Sequence, residues 1–221
     1  MAITVNEAMG GTTGTTASAT MPVVALKRRT IDSVLVGFGA VAVAVLIMAG
    51  GLLTWGHNFA TDYVHKELTA QHIYFGDKAS LVKEGRTDLL PYAGLQVVNG
   101  DQAKVYASYI AHHLDGIAGG KTYADLGAPE TAAKNAVTAA TGAGASPSDV
   151  AALQAKADNI TSQRNTLFKG ETLRGLLLST FAWATMGRIA GIAAIVSFVA
   201  AGAMAVLVVL GMWHHHKIAK N

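Results

Sequence analysis

Two long apolar segments near opposite ends of the 221-residue chain constrain its fold more than any other feature. They cover residues 34–55 and 189–213, which are 22 and 25 residues long, and neither contains a charged side chain. A helix needs about 20 apolar residues to cross the hydrocarbon core of a bilayer. Each segment is long enough to span a membrane alone, so the sequence predicts a two-pass membrane protein.

The composition excludes several classes of function. The chain has no cysteine, which rules out disulfides and thiolate chemistry. The net charge is only +3 and no basic block is present, so we expect no nucleic-acid partner. A glycine-rich phosphate loop, a nucleophile elbow and a paired-carboxylate motif are all missing from the sequence. We therefore expect a protein that is not an enzyme and binds no cofactor.

Basic residues flank the two segments on the sides that face the chain termini. Lys27, Arg28 and Arg29 precede the first segment, and Lys217 and Lys220 follow the second. Short loops rich in lysine and arginine stay cytoplasmic, so both termini are predicted to be cytoplasmic. Residues 56–188 carry 12 basic and 12 acidic side chains. That region is too long for the short-loop rule to keep it in the cytoplasm, and we expect it on the extracytoplasmic side of the membrane.

The predicted class is an all-α membrane protein in which two transmembrane helices flank a helical extracytoplasmic domain. A signal peptide cleaved near Ala49-Gly50-Gly51 is the alternative for the first segment, but its apolar stretch exceeds the usual 7–15 residues or so. An uncleaved anchor is therefore favoured. The predicted order is a disordered cytoplasmic tail (1–30), a transmembrane helix (31–56), the outer domain (57–174), an apolar juxtamembrane segment (175–188), a second transmembrane helix (189–213) and a short cytoplasmic tail (214–221).

Local signals predict the helices of the outer domain. Asn99, with Gln102 three residues later, is typical of a capped helix start, and Gly119-Gly120 is typical of its end. Ser146-Pro147-Ser148-Asp149 predicts the start of a helix that runs toward the second span. The 130–140 region favours one further short helix, preceded by a turn at 127–129. Near residue 59, Phe59, Tyr63 and Val64 are predicted to share one face with Leu68. The sequence leaves open whether the outer helices continue into the spans.

Small residues recur at helical spacing in both spans. They predict a helix-packing interface because lipid supplies no hydrophobic drive for pairing, and small side chains let backbones approach. One interpretation is that the spans pack on each other; the other is that they dock on helices of a partner. The residues assigned to this interface are Gly187, Ala190, Gly191 and Ala194 in the second span and Ala40 and Ala44 in the first.

Three residues are predicted to mark the membrane surfaces. Trp55 and Trp213 have amphipathic rings suited to interfacial depth. Arg188 is interpreted as a side chain that extends to the interface, with an ion-pathway role as the alternative. The apolar residues 175–186 just outside Arg188 fit a membrane-surface helix, a dock for a partner or an extension of the span.

Histidine is the one residue type in the outer region that suggests site chemistry. No spacing typical of a metal site connects these residues, so no metal ligand is assigned. They are instead interpreted as solvated or core side chains, with an extracytoplasmic ligand- or metal-binding module as the alternative. The histidines are His57, His65, His72, His112 and His113.

Several short motifs resemble a group of uncharacterised two-span membrane proteins from actinobacteria. The resemblance covers roughly residues 59–213 and implies a bacterial plasma membrane with no established activity. Some members carry the label of an aromatic ring-opening dioxygenase, but such chemistry needs iron, and no two-histidine, one-carboxylate set can be assigned here. The motifs are Leu68-Thr-Ala-Gln71, Ala93-Gly-Leu-Gln-Val97, Asn99-Gly-Asp-Gln-Ala-Lys-Val-Tyr-Ala107, His113-Leu114, Gly120-Lys-Thr-Tyr123 and Gly170-Glu-Thr-Leu-Arg-Gly-Leu-Leu-Leu178.

These observations favour a non-catalytic accessory, scaffold or assembly subunit of a plasma-membrane complex. The small cytoplasmic ends cannot hold a folded output domain, which argues against a signalling enzyme. The expected partners are the lipid bilayer and either another membrane protein or a second copy of the chain.

Overall fold

The structure, a computed structural model, describes residues 28–218. It contains α1 (Arg28–Ala70), α2 (Lys78–Lys83), a short 3₁₀ helix (Thr87–Tyr92), α3 (Gly100–Ile117), α4 (Gly127–Gly142) and α5 (Pro147–Ile218). The described residues include one isolated antiparallel bridge, Tyr74 with Gln96, and no strand. The predicted all-α class is thus confirmed. Most of the tail predicted at residues 1–30 lies outside the described residues.

Helices α1 and α5 contain the two apolar segments. They are 43 and 72 residues long, or about 65 and 108 Å at 1.5 Å per residue. Their most apolar stretches have mean hydropathies of 2.4 and 2.7, and only 6% and 17% of those stretches is buried. Both helices are long and apolar enough to cross a membrane. The sequence left open whether the outer helices continue into the apolar segments. They do, because each helix runs unbroken from its apolar segment into the outer domain.

The predicted capping signals appear in the structure with small shifts. The Asn99 side chain accepts a hydrogen bond from the Gln102 N–H at 2.9 Å, as predicted. Gln102 Oε1 accepts from the Val98 N–H at 2.8 Å, one residue earlier than an ordinary capping box requires. Gly119 and Gly120 have φ angles of +63° and +78° just beyond the last turn of α3. This left-handed backbone ends the helix.

Helix α5 begins at Pro147, where the sequence predicts it. Ser146 Oγ accepts a hydrogen bond from the Asp149 N–H at 3.2 Å. The turn predicted at 127–129 is wrong, because α4 already begins at Gly127. Pro129 fits there since the first helical turn does not use its missing N–H.

Three small apolar cores hold the outer domain together, and α5 contributes to two of them. The first joins Val64, Leu68, Phe75, Val97, Ala103, Ala107 and Leu177. The second joins Leu81, Leu89 and Tyr109, and the third joins Leu114, Leu126 and Leu167. Helix α3 thus packs along the outer part of α5 beside the end of α1, and α4 packs on α5 further out.

Candidate functional site

Helices α1 and α5 run antiparallel along a seam that extends from the spans into the outer domain. On α1, ten of the buried and half-buried positions follow a series of mostly alternating three- and four-residue steps, which is the spacing of a two-helix coiled coil. A Cβ atom added at Gly187 would lie 2.9 Å from the Ala60 Cβ, and one at Gly50 would lie 2.8 Å from the Phe198 ring. The α1 positions are Val36, Gly39, Val43, Leu46, Gly50, Leu53, His57, Ala60, Val64 and Leu68.

The six residues assigned to the packing interface divide by helix. Those on α5 lie along its contact with α1. Ala40 and Ala44 are exposed and lie on another face of α1. The small residues through which α1 does face α5 are Gly39 and Gly50. The α5 residues are Gly187 and Ala194, which are buried, and Ala190 and Gly191, which are half-buried.

The His57 ring occupies the space that Gly191 of α5 leaves open. Its Nδ1 lies 2.8 Å from the Gly187 carbonyl oxygen. A carbonyl only accepts hydrogen bonds, so Nδ1 carries the proton and donates. A Cβ at Gly191 would lie 2.9 Å from the same nitrogen. The Gly187-Arg-Ile-Ala-Gly191 motif therefore accommodates an imidazole ring as well as close backbone approach.

Arg188 pairs with a carboxylate of the outer domain. Its guanidinium donates to both oxygens of Asp101, at 2.8 and 3.0 Å. This fork links the first turn of α3 to α5 at the outer end of the second apolar segment. Both side chains are exposed. Trp55 and Trp213 are exposed as well, and Lys217 lies over the Trp213 ring at 4.1 Å from its centre.

An apolar cleft opens beside the outer end of α1. It has a volume of about 580 Å³, and α1, α3 and α5 all contribute to its walls. The aliphatic side chains of its outer wall are unusually open for a domain in water, because Leu173 and Leu176 are 53% and 62% exposed. The lining residues are Tyr63, Val64, Glu67, Leu68, Gln71, Ile73, Tyr106, Ile110, Leu173, Leu176, Leu177, Thr180 and Trp183.

A ladder of exposed aromatic rings leads to this cleft along α1. The rings of Trp55 and Phe59 stack with centres 5.6 Å apart, and those of Phe59 and Tyr63 with centres 6.0 Å apart. Trp55 ends the first apolar segment, and Tyr63 lines the cleft. Phe59 and Tyr63 were predicted to share one face with Val64 and Leu68, but the structure divides the four residues into two pairs. The aliphatic pair enters the core, and the aromatic pair remains outside.

The outer histidines do not converge on one site, although the His112 and His113 rings lie with centres 6.0 Å apart, and four of the five bond to backbone carbonyls. His65 Nδ1 lies 3.1 Å from the Val98 oxygen, His112 Nε2 lies 3.1 Å from the Glu84 oxygen, and His113 Nδ1 lies 3.0 Å from the Tyr109 oxygen. His57 bonds to α5 as described above. Within residues 28–218 no three His, Asp or Glu side chains are close enough together to hold a metal ion.

Two polar clusters fix the outer helices to one another. Tyr109 is buried beside Glu84, and burial followed by hydrogen bonding to this carboxylate raises the pKa of Tyr109 to about 12. Glu130 on α4 accepts hydrogen bonds from Lys134, from Thr161 and from Arg164, at 2.6, 2.8 and 2.7 Å. These three donors lower the pKa of Glu130 to about 2. Both clusters connect neighbouring helices, so we interpret their role as structural.

Comparison with protein-family models, with curated protein sequences and with solved structures finds no match. The site therefore has to be interpreted from its own geometry. Sequence reasoning identified the α5 packing residues but missed the cleft. One signal was available: Leu173, Leu176, Thr180 and Trp183 recur at three- and four-residue spacing on α5.

Proposed function

We propose that this chain is a non-catalytic accessory subunit of a bacterial plasma-membrane complex. In this proposal α1 and α5 anchor it, both termini are cytoplasmic, and the helical domain lies outside. The observation that carries the proposal is a second small-residue face on α1. It is formed by Gly37, Ala40, Ala44 and Gly51. Apart from the adjacent residues and the backbone of α1 itself, the described chain has no atom within 4 Å of a Cβ added at Gly37 or Gly51.

The spacing of these four residues supports a helix-docking role. Steps of three, four and seven residues keep them on one stripe of α1, apart from the seam with α5. In lipid, helices associate through close packing, and small residues permit the closest approach. Helix α1 has already paired through Gly39 and Gly50. Within residues 28–218 the stripe is uncovered, so it can receive a helix of another membrane protein or of a second copy of this chain.

The test is purification of the full-length chain from its native membrane in a mild detergent, through an N-terminal affinity tag. The Ala40→Leu/Ala44→Leu double variant should lose a co-purifying partner, because two larger side chains separate the helix backbones. Val45→Leu is the matched control, since Val45 is exposed on a different face of the same helix. A partner retained by the double variant, or an unmodified chain that purifies alone as a monomer, would contradict the proposal.

Membrane orientation has its own test, made simple by the absence of cysteine. Asn135→Cys lies on the exposed side of α4, and Lys217→Cys lies at the end of α5. A membrane-impermeant maleimide should label Asn135→Cys in intact cells and label Lys217→Cys only after permeabilisation. Labelling of both positions in intact cells, or of neither, would refute the topology.

A further inference from the structure

We infer that the cleft between α1, α3 and α5 binds one acyl chain of a lipid whose polar end is uncharged or cationic. The inference rests on the membrane placement proposed above. It concerns a different surface from the small-residue stripe, so the two can fail independently. The cleft has an apolar floor of Leu68, Tyr106 and Leu177 and an apolar rim of Leu176 and Trp183.

The volume of the cleft limits which apolar ligands it can hold. About 580 Å³ falls within the range of roughly 300–1,000 Å³ that is typical of small-molecule pockets. A partner helix would lie on this cleft rather than fill it, so the volume bears on a small-molecule or hydrocarbon occupant. A flexible hydrocarbon chain matches both its size and its lining.

The aromatic ladder connects the cleft with the bilayer. Trp55 lies at the end of the first apolar segment, and Phe59 and Tyr63 extend the apolar surface by two helical turns to the rim. Trp183 lines the same cleft from α5 and is 55% exposed. An acyl chain can follow this path without leaving apolar contact, because successive rings lie within 6.0 Å of each other. This continuity favours a lipid over an apolar solute that arrives from water.

The polar groups that line the cleft determine which ligand head groups it can bind. Glu67 is the one charged residue in the lining, and Gln71 and Thr180 supply neutral hydrogen-bonding groups. A free fatty-acid carboxylate would meet a like charge at Glu67, which disfavours it. An amine or a hydroxyl head group would instead donate to these oxygens.

The first experiment uses full-length protein carrying Trp55→Phe and Trp213→Phe, so that Trp183 is the only tryptophan. It is reconstituted into phosphatidylcholine vesicles that also contain a monoacylglycerol with a brominated acyl chain, which has an uncharged head group and quenches indole fluorescence on contact. We expect at least a twofold loss of Trp183 emission relative to vesicles without bromine. Leu176→Lys should restore the emission, and Leu178→Lys, on the same helix but outside the cleft lining, should not.

The outcomes separate this inference from the proposed function. Absence of quenching in the reference protein, or quenching that persists in Leu176→Lys, overturns the acyl-chain site. Failure of the protein to float with the vesicles refutes the membrane placement itself. Loss of the partner in the Ala40→Leu/Ala44→Leu variant does not bear on the cleft.

A second measurement tests the head-group preference by native mass spectrometry of the detergent-solubilised chain. Hexadecylamine and a monoacylglycerol should be retained at least threefold more than palmitate. Glu67→Gln should remove most of that difference by raising the retention of palmitate, because the variant has no negative charge to repel the carboxylate. Equal retention of all three probes by the unmodified chain would overturn the role assigned to Glu67.

Discussion

Helices α1 and α5 are held together by different contacts on the two sides of His57. Toward the termini, α1 and α5 contact each other alone within the described chain. They do so through small and aliphatic side chains, the Phe198 ring and a side-chain hydrogen bond from Ser197 Oγ to the Leu46 carbonyl at 2.8 Å. Beyond His57, α3 and α4 cover α5, and buried leucines and aromatic rings form the cores. The apolar side chains are thus mostly exposed in one half, whereas the other half buries a core and leaves the cleft wall and the aromatic ladder exposed.

This difference agrees with a change of solvent along one pair of helices. Water drives apolar side chains together, so a helix pair in water buries its leucines. Lipid gives no such drive, and helices there associate through close packing and hydrogen bonds. The inner half has the second pattern and the outer half the first. Substitutions chosen in each half can break or sharpen the comparison.

The largest effect is expected in the core of the outer domain. Leu81 is wholly buried in α2, so Leu81→Ala should lower the free energy of unfolding by about 2–5 kcal/mol through lost burial and the cavity left behind. Thermal unfolding followed by circular dichroism in mild detergent measures it. Val82→Ala, at the exposed neighbouring position, is the control and should change stability little. Equal losses from the two variants would show that this core is not the source of stability.

The second effect belongs to the seam. Gly187→Ala places a methyl group against the buried Ala60, and the resulting overpacking should destabilise the helix pair by about 1–3 kcal/mol. Gly202→Ala adds the same methyl group to α5 where no atom lies within 4 Å. It should be neutral or slightly stabilising, since alanine is the better helix former. Unfolding in a denaturing-detergent titration compares the two, and a neutral Gly187→Ala would show that the seam is loose.

The third effect appears only in acid and concerns the outer half. Three donors lower the pKa of Glu130 from 4.5 to about 2. The carboxylate therefore stabilises the folded state fully above pH 4.5, and this contribution is lost as the pH falls to about 2. Unfolding curves between pH 7 and 2 should show that decline. Glu130→Gln should flatten this part of the profile, whereas Glu171→Gln, in an exposed pair with Arg174, should leave it intact.

The smallest effect is expected from the hydrogen bond between the spans. Ser197→Ala removes the donor to Leu46, and hydrogen bonds between membrane helices contribute about 0.6 kcal/mol on average. The same detergent titration should detect a small destabilisation, with Ser179→Ala on the exposed side of α5 as the reference. A loss as large as that of Leu81→Ala would contradict the view that close packing holds this half together.

Local sequence signals predicted the helix boundaries well where the signal is itself local. Asn99 and Ser146 bond to the N–H groups of the next few residues, so their role depends on a few neighbours along the chain. Helix α2 was missed, although Asp77 caps it through the Ser80 N–H at 2.7 Å. Its six residues are too few to show a periodic pattern.

The candidate site was harder to predict from the sequence, because it depends on which face of α1 packs against α3 and α5. Phe59 and Val64 both suit a buried face by composition, and only the position of α3 and α5 decides that Val64 enters the core. Ala40 and Gly39 are both small, yet only Gly39 faces α5. Nothing in the local spacing distinguishes the members of these pairs.

The sequence by itself determined the helical class, the two apolar segments and the starts of the outer helices, because length, hydropathy and capping act over a few consecutive residues. Only the tertiary structure decided that α1 and α5 run unbroken into the outer domain, that His57 is enclosed by Gly187 and Gly191, and that an apolar cleft opens where α1 ends. The last two features join residues far apart in the sequence, such as His57 and Gly187, which are 130 positions apart. Their contacts depend on the register of two long helices, which no local pattern encodes.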